Sequence, residues 1–248
     1  MRLAAPLTGI AVLVAFGVAL QLAIQADVIS EYVLPLPSDI LASLPRLVTE
    51  EGVLGRFAIT AGETLAAGML ALLVGLPLGW LLHRSLRLRA AFEPWVAALA
   101  AAPLILAYPL FLVLFGRSPA TIVVIGFMSA LPPVALKTIE GFGATRRVLL
   151  DVGRSLRLSP GQEFWKILFP AALPQIFVGL RLALVFGLIN VVGVEFLINL
   201  GGLGQLINDL AERYDLPGTW GGILFVVLVS IAFFTALDGC ERWLRRRA

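Results

Sequence analysis

Long apolar runs alternate with short polar clusters along this chain, and six of the runs are long enough to matter. A bilayer core about 30 Å thick takes about 20 residues of helix. Lipid offers no partner to an exposed backbone amide or carbonyl, so runs of this kind predict helices that satisfy their own backbone. The predicted spans cover about residues 7–26, 57–82, 94–115, 119–133, 173–200 and 220–237. The third is expected to start at Glu93-Pro94. The fourth follows "GRSP", with Ser118 as N-cap and Pro119 in the first turn, and is expected to stop near Pro132 and Pro133. The first run follows Arg2 and resembles a secretory leader, but it is long, and Ile24 is a poor residue for cleavage before Ala26, which favours a retained span.

Composition agrees with this reading. Of the 248 residues, 59% are hydrophobic and 14% charged, with mean hydropathy +0.95, where a soluble domain carries about 25% charge. The chain is therefore expected to be an all-α membrane protein with six transmembrane helices. A net charge of +3 and a pI near 9.5 do not point to nucleic acid, because the cations sit in short clusters between spans and not on one face. Their placement sets orientation instead, since loops rich in Lys and Arg stay in the cytoplasm. With the N-terminus inside, fourteen of the 19 cations are cytoplasmic: Arg2, the Arg84, Arg87 and Arg89 cluster, the six from Lys137 to Lys166, and the four from Arg242 to Arg247. Arg46, Arg56, Arg117 and Arg213 lie outside, and Arg181 falls within the fifth span. Both termini are thus expected to be cytoplasmic. Eight acids, including Asp27, Glu31, Asp39 and Asp215, leave the outer loops net negative. Residues 1–248 read as a single membrane domain, with an outer connection at 27–56 that carries a short surface helix from Ser38 or Asp39. Cys240 has no partner for an intramolecular disulfide and reads as a packed free thiol.

The inner loop at residues 137–170 carries nine charged side chains between apolar spans. From Arg146 to Leu158 the spacing predicts an amphipathic helix, with Val148, Val152 and Leu156 on one stripe and Arg147, Asp151 and Arg154 on another. "SPGQ" then gives a second start: Ser159 caps, Pro160 takes the first turn, and Gln162 closes a capping box. This second helix carries Glu163, Trp165, Lys166 and Ile167, and Pro170 is expected to interrupt it. The pair reads either as a docking element for a soluble partner or as an interfacial cover for the bundle end.

This segment resembles the cytoplasmic loop of the membrane subunits of bacterial ATP-binding-cassette importers, which reads Glu-Ala-Ala, then Gly, then Ile-x-Leu-Pro. The matching positions here are Asp151, Val152 and Gly153, then Arg157, then Ile167, Phe169 and Pro170. Arg157 stands where glycine is usual, and glycine there allows a turn. "LPSDI", "GLPLGWLLHRSLRLRAAFEPW", "PAALPQIFVGLRLAL", "GGLGQLI" and "LDGCERWLRRR" are similar to the nitrate, sulfonate and taurine branch of these permeases, in order, from about residue 34 onward. The resemblance implies a type I importer permease with no cofactor of its own. Its implied partners are a pair of ATPase subunits that bind the ATP, a second permease copy or a paralogue, and an extracytoplasmic solute-binding protein. It implies the cytoplasmic (inner) membrane of a bacterium, and a coupling loop made of Arg147, Asp151, Gly153, Arg154, Arg157, Ser159, Pro160, Glu163, Ile167 and Pro170. No G-x-x-x-x-G-K-[ST] stretch occurs, so ATP chemistry would come from another chain.

Ionisable groups inside a bilayer are costly and mark candidate pathways. Glu195 lies in the fifth span with Asn190 and Asn199 nearby, and the resemblance places this stretch beside the translocation path. Glu63, near the start of its span, is expected to snorkel outward, as is Arg181 inward. Pro103 and Pro109 should distort the third span around Tyr108, which could then line a cavity. Gly202 and Gly204 read as an outer gate loop or a plain turn. Gly75 and Gly79 form a G-x-x-x-G pattern suited to a contact between subunits. His83 stands alone, so no metal site is expected, and no nucleophile arrangement suggests an enzyme. The rival reading is an ion-coupled secondary transporter using Glu63 and Glu195.

Overall fold

The computed structural model describes residues 4–245, and all the regular structure among them is helical. Helix α1 (Ala4–Gln25) leads to the surface helix α2 (Pro37–Thr49), which starts one residue before the predicted Ser38, with Pro37 in its first turn. Ser38 is tied to Gln21 of α1 by two hydrogen bonds of 3.2 Å. Helix α3 (Val53–Arg84) is longer than predicted at both ends and runs through Pro77.

The third span is not a single straight helix. Helix α4 (Leu86–Ala101) begins eight residues before the expected Pro94, where the Ser85 hydroxyl accepts from Leu88 N–H at 3.4 Å. Pro103 disfavours helical backbone at Ala102, whose ψ is 133°. A single tight turn (Leu104–Ala107) then leads into α5 (Tyr108–Phe115), with Pro109 in the first turn where no amide is needed. The two pieces meet at 87°. Proline distortion was expected; a near right angle was not.

Helix α6 (Pro119–Gly143) does not stop at Pro132 and Pro133 but continues to Gly143. Both prolines are buried in its packed face, where α6 lies along α3 and α9. Tertiary burial there outweighs the lost amide bonds. Helix α7 (Arg147–Ser155), a turn α8 (Pro160–Glu163), α9 (Phe169–Ile198), α10 (Gly202–Glu212) and α11 (Leu216–Arg245) complete the chain. The side chain of Cys240 and the residues from Arg246 lie outside those described.

Four helices are long and apolar enough to cross a membrane, or five if the bent α4–α5 pair counts as one span. Helix α1 is 22 residues long, and its apolar stretch among the residues whose side chains are described is Ala11–Gln25. The described residues thus show four or five of the six expected spans. The centre is the α3–α6–α9 triad. Gly75 and Gly79 are not turned toward another subunit but face α6 within the chain. A Cβ added at Gly79 would lie 2.6 Å from Thr138 Cβ and 2.7 Å from the Ala135 carbonyl oxygen. These small residues set the close α3–α6 approach, the dispersion contacts of two backbones replacing side-chain filling.

At the end holding Arg84 and α8, aromatic rings join three elements. Trp80 of α3 packs edge-on against Phe142 of α6 at 4.9 Å and Phe164 at 4.6 Å. Such pairs contribute about 0.5–1.5 kcal/mol each beyond burial.

Candidate functional site

The charged loop folds as two helical pieces with a sharp corner. Along α7, Asp151 and Arg154 form an exposed ion pair at 3.2 Å, while Val148, Val152 and Leu156 are also exposed. Only Gly153 on this helix is buried. A Cβ there would meet Ile167 Cδ1 at 2.7 Å, so Gly153 and Ile167 close the elbow. Helix α7 ends with Leu158 N–H bonding to Gly153 C=O at 3.1 Å and Arg157 N–H to Arg154 C=O at 2.9 Å. These are the two bonds of a Schellman cap, whose turning residue must be left-handed. That residue is Arg157, with φ +51°. The resemblance has glycine at this place, and the geometry supplies the reason.

The second piece starts as the spacing predicts: Gln162 N–H donates to the Ser159 hydroxyl at 3.4 Å and Ser159 N–H to Gln162 Oε1 at 3.0 Å. Pro170 does not interrupt it. Residues 164–168 widen into a π-turn in which Phe169 N–H reaches back to Phe164 C=O. The wider turn accommodates Pro170, which lacks an amide and would crowd the carbonyl four residues earlier in an α-helix. One apolar helix therefore runs 39 residues from Pro160 to Ile198. Glu163 and Lys166 ride on its first turns. An open groove of about 370 Å³ lies beside it, lined by Trp80, Arg84, Pro160 and Glu163 among others.

At its far end this helix carries Glu195, which is fully buried. Thr60 of α3 donates to Glu195 Oε1 at 2.8 Å, and Gly204 N–H donates to Oε2 at 2.8 Å. The Thr60 hydroxyl in turn accepts from Leu203 N–H at 2.8 Å. The N-terminus of α10 is thus capped by side chains from α3 and α9, satisfying amides that the helix itself leaves free. Gly202 and Gly204 are required by this approach. Gly202 has φ +74° and a Cβ on it would sit on the Glu195 carboxyl, while one on Gly204 would lie 2.6 Å from Phe196 N. The stretch is the anchored start of a helix, neither a free loop nor a plain turn.

Glu63 corrects a second expectation. It does not snorkel outward but is only 8% exposed, with its carboxyl group within hydrogen-bonding reach of Glu195. The pairing was legible only as a polar stripe, Thr60, Glu63 and Thr64, at helical spacing in an apolar helix. Asn190 and Tyr108 are not part of this cluster. Asn190 donates to the Phe186 carbonyl of its own helix at 3.0 Å. Tyr108, at the bend, packs on the core of Ile122, Ile125, Val191 and Val194.

Four cations, Arg46, Arg56, Arg117 and Arg213, are tied down as well. Arg46 pairs with Asp215, Arg56 with Asp209 at 3.1 Å, Arg213 with Glu51 at 3.1 Å, and Arg117 donates to the Asn199 carbonyl.

An apolar helical bundle with an exposed ionic elbow continuous with a core helix defines a multi-pass membrane protein. The chain matches the family described as the inner membrane component of binding-protein-dependent transport systems over residues 71–248, and it belongs to that family. That family is a transport family and not one of enzymes. The taurine transport system permease protein TauC of Escherichia coli is 27% identical over 224 residues, 87% of this chain and 80% of that protein. The glycine betaine/proline betaine permease ProW of the same organism is 32% identical over 181 residues, 73% of this chain but 51% of that protein. The putative aliphatic sulfonates permease SsuC of Bacillus subtilis is 27% identical over 203 residues, 82% of this chain and 74% of that protein. Among solved structures, the MetNI methionine ABC transporter in an inward-facing form matches with TM-score 0.68 at 21% identity, over 77% of this chain and 95% of that one. The fold is that of an ABC importer permease.

Proposed function

We propose that this chain is the permease subunit of an ATP-driven importer, forming one membrane domain over residues 1–248. It takes a small solute, of the nitrate, sulfonate or taurine kind, from an extracytoplasmic binding protein. Six crossings with both termini cytoplasmic fit the clustering of cations at the end that holds Arg84, Arg147 and Arg154. A dimer of ATPase subunits grips the elbow from Arg147 to Pro170. A second permease copy or a paralogue completes the path. The acidic outer loops face the binding protein.

The observation that carries this reading is the unbroken helix from Pro160 to Ile198. A push on the elbow passes through the π-turn to the end of the helix that holds Glu195 and the start of α10. A helix interrupted at Pro170 would lose the displacement in a hinge. The secondary-carrier reading is not favoured, since it would leave this exposed elbow without a role.

The test is uptake by the reconstituted transporter with its ATPase and binding protein. Asp151→Arg paired with Arg154→Ala should lower ATP-dependent uptake at least tenfold while the permease still folds and inserts. Uptake that continues undiminished without the ATPase would refute the proposal.

A further inference from the structure

The contact of Glu63 with Glu195 has a chemical consequence that the transport reading does not use. Two carboxylates in contact, away from water, repel each other strongly unless a cation or a proton stands between them. Glu63 is 8% exposed and Glu195 is buried completely. The donors to Glu195 are a hydroxyl and a backbone amide. From α3 come Thr60, Glu63 and Thr64; from α9, Glu195; from α10, the Leu203 and Gly204 amides. The nearby cation on α3, Arg56, is held by Asp209 of α10.

Hydrogen-bond donors tell the two acids apart. Both Glu195 oxygens accept, one from Thr60 O–H and one from Gly204 N–H, each at 2.8 Å. Such donors favour the ionised form. Glu63 Oε2 is buried and receives no hydrogen bond from a hydroxyl or amide, an expensive position for a charged oxygen. We propose that this junction is a single-proton binding site, in which Glu63 is held as the neutral acid and donates its proton to ionised Glu195. The proton ties α3 to the α9–α10 corner at the outer end of the bundle. Loss of it leaves two negative charges in contact directly beneath the start of α10, so release of the proton is release of that helix. The idea rests on the geometry of this corner, not on the identity of the transported solute.

The assembled transporter in lipid nanodiscs provides the test. Infrared spectra at neutral pH should contain a protonated-carboxyl carbonyl band that shifts in D₂O and disappears in Glu63→Gln. The protection factor of the amides of residues 202–206, exchange corrected for its intrinsic base-catalysed dependence on pH, should fall at least tenfold in the wild type as the pH is taken from 6 to 10 (about one factor of ten per 1.4 kcal/mol). In Glu63→Gln, whose amide keeps a donor but cannot ionise, it should stay flat. A wild type with no such band would overturn the proposal. So would protection of 202–206 that follows sodium or potassium concentration at fixed pH, which would mean a bound metal cation in place of the proton. The wild-type measurements stand alone if the variant fails to assemble. Because none of these readouts depends on uptake or ATP hydrolysis, failure here is distinct from failure of the transport reading.

Discussion

Gly204→Ala is a sharp test of how α10 is attached. A Cβ at this position would lie 2.6 Å from Phe196 N and closer still to the Val192 carbonyl oxygen, both backbone atoms of α9. Neither can rotate away as a side chain would. Overpacking of this kind costs about 1–3 kcal/mol. If α10 lifts to relieve it, the Gly204 amide loses its 2.8 Å bond to Glu195, a bond to a charged acceptor worth about 1.5–3 kcal/mol. The two are alternative ways of meeting the clash, so about 1–3 kcal/mol bears on local opening of α10, whose population should rise at least about fivefold. Hydrogen exchange of the segment 202–212 in the assembled transporter measures this opening directly. Gly161→Ala is the control, since a Cβ there meets nothing within 4 Å. Exchange in Gly204→Ala within about threefold of wild type would refute the claim that α10 is clamped against α9.

Three further outcomes follow from the same geometry. Arg157→Gly should raise thermal stability by about 2 °C, because relief of a left-handed residue, about 1–2 kcal/mol, exceeds the glycine entropy cost of about 0.4–1 kcal/mol; a lower melting temperature would contradict the cap at φ +51°. Thr60→Val, nearly isosteric, leaves Leu203 N–H without its acceptor and should cost about 1–3 kcal/mol in chemical unfolding, with Thr60→Ser close to wild type. Gly79→Ala should cost about 1–3 kcal/mol by forcing α3 from α6, measured the same way, whereas Gly62→Ala, open within 4 Å, should be neutral.

The apolar runs by themselves determined that the chain is a helical membrane protein, because a continuous run of about 20 apolar residues satisfies its backbone in lipid as a helix, whereas a closed barrel needs short alternating strands. Local chemistry was equally legible where it is local: the capping box at Ser159 and Gln162 and the Pro119 start of α6 depend on atoms within one turn. The prolines were the main misreading. Pro103 bends the chain by 87°, yet Pro132, Pro133 and Pro170 sit in continuing helices, and nothing in their spacing separates them. What separates them is packing against α3 and α9 in one case and a π-turn in the other, and both are tertiary facts.

The same division runs through the candidate sites. The elbow could be assembled from sequence because its residues are neighbours in the chain. That Arg157 takes a left-handed turn, and that the helix behind it never breaks, needed coordinates. The Glu195 corner was legible only in part: Glu195, Glu63, Gly202 and Gly204 stand out in the sequence, but Thr60 and Glu195 are 135 residues apart, and burial of Glu63 is decided by which face of α3 the bundle covers. Hydropathy assigns a residue to the membrane, but only the fold decides whether it meets lipid, a neighbouring carboxyl group or the start of another helix.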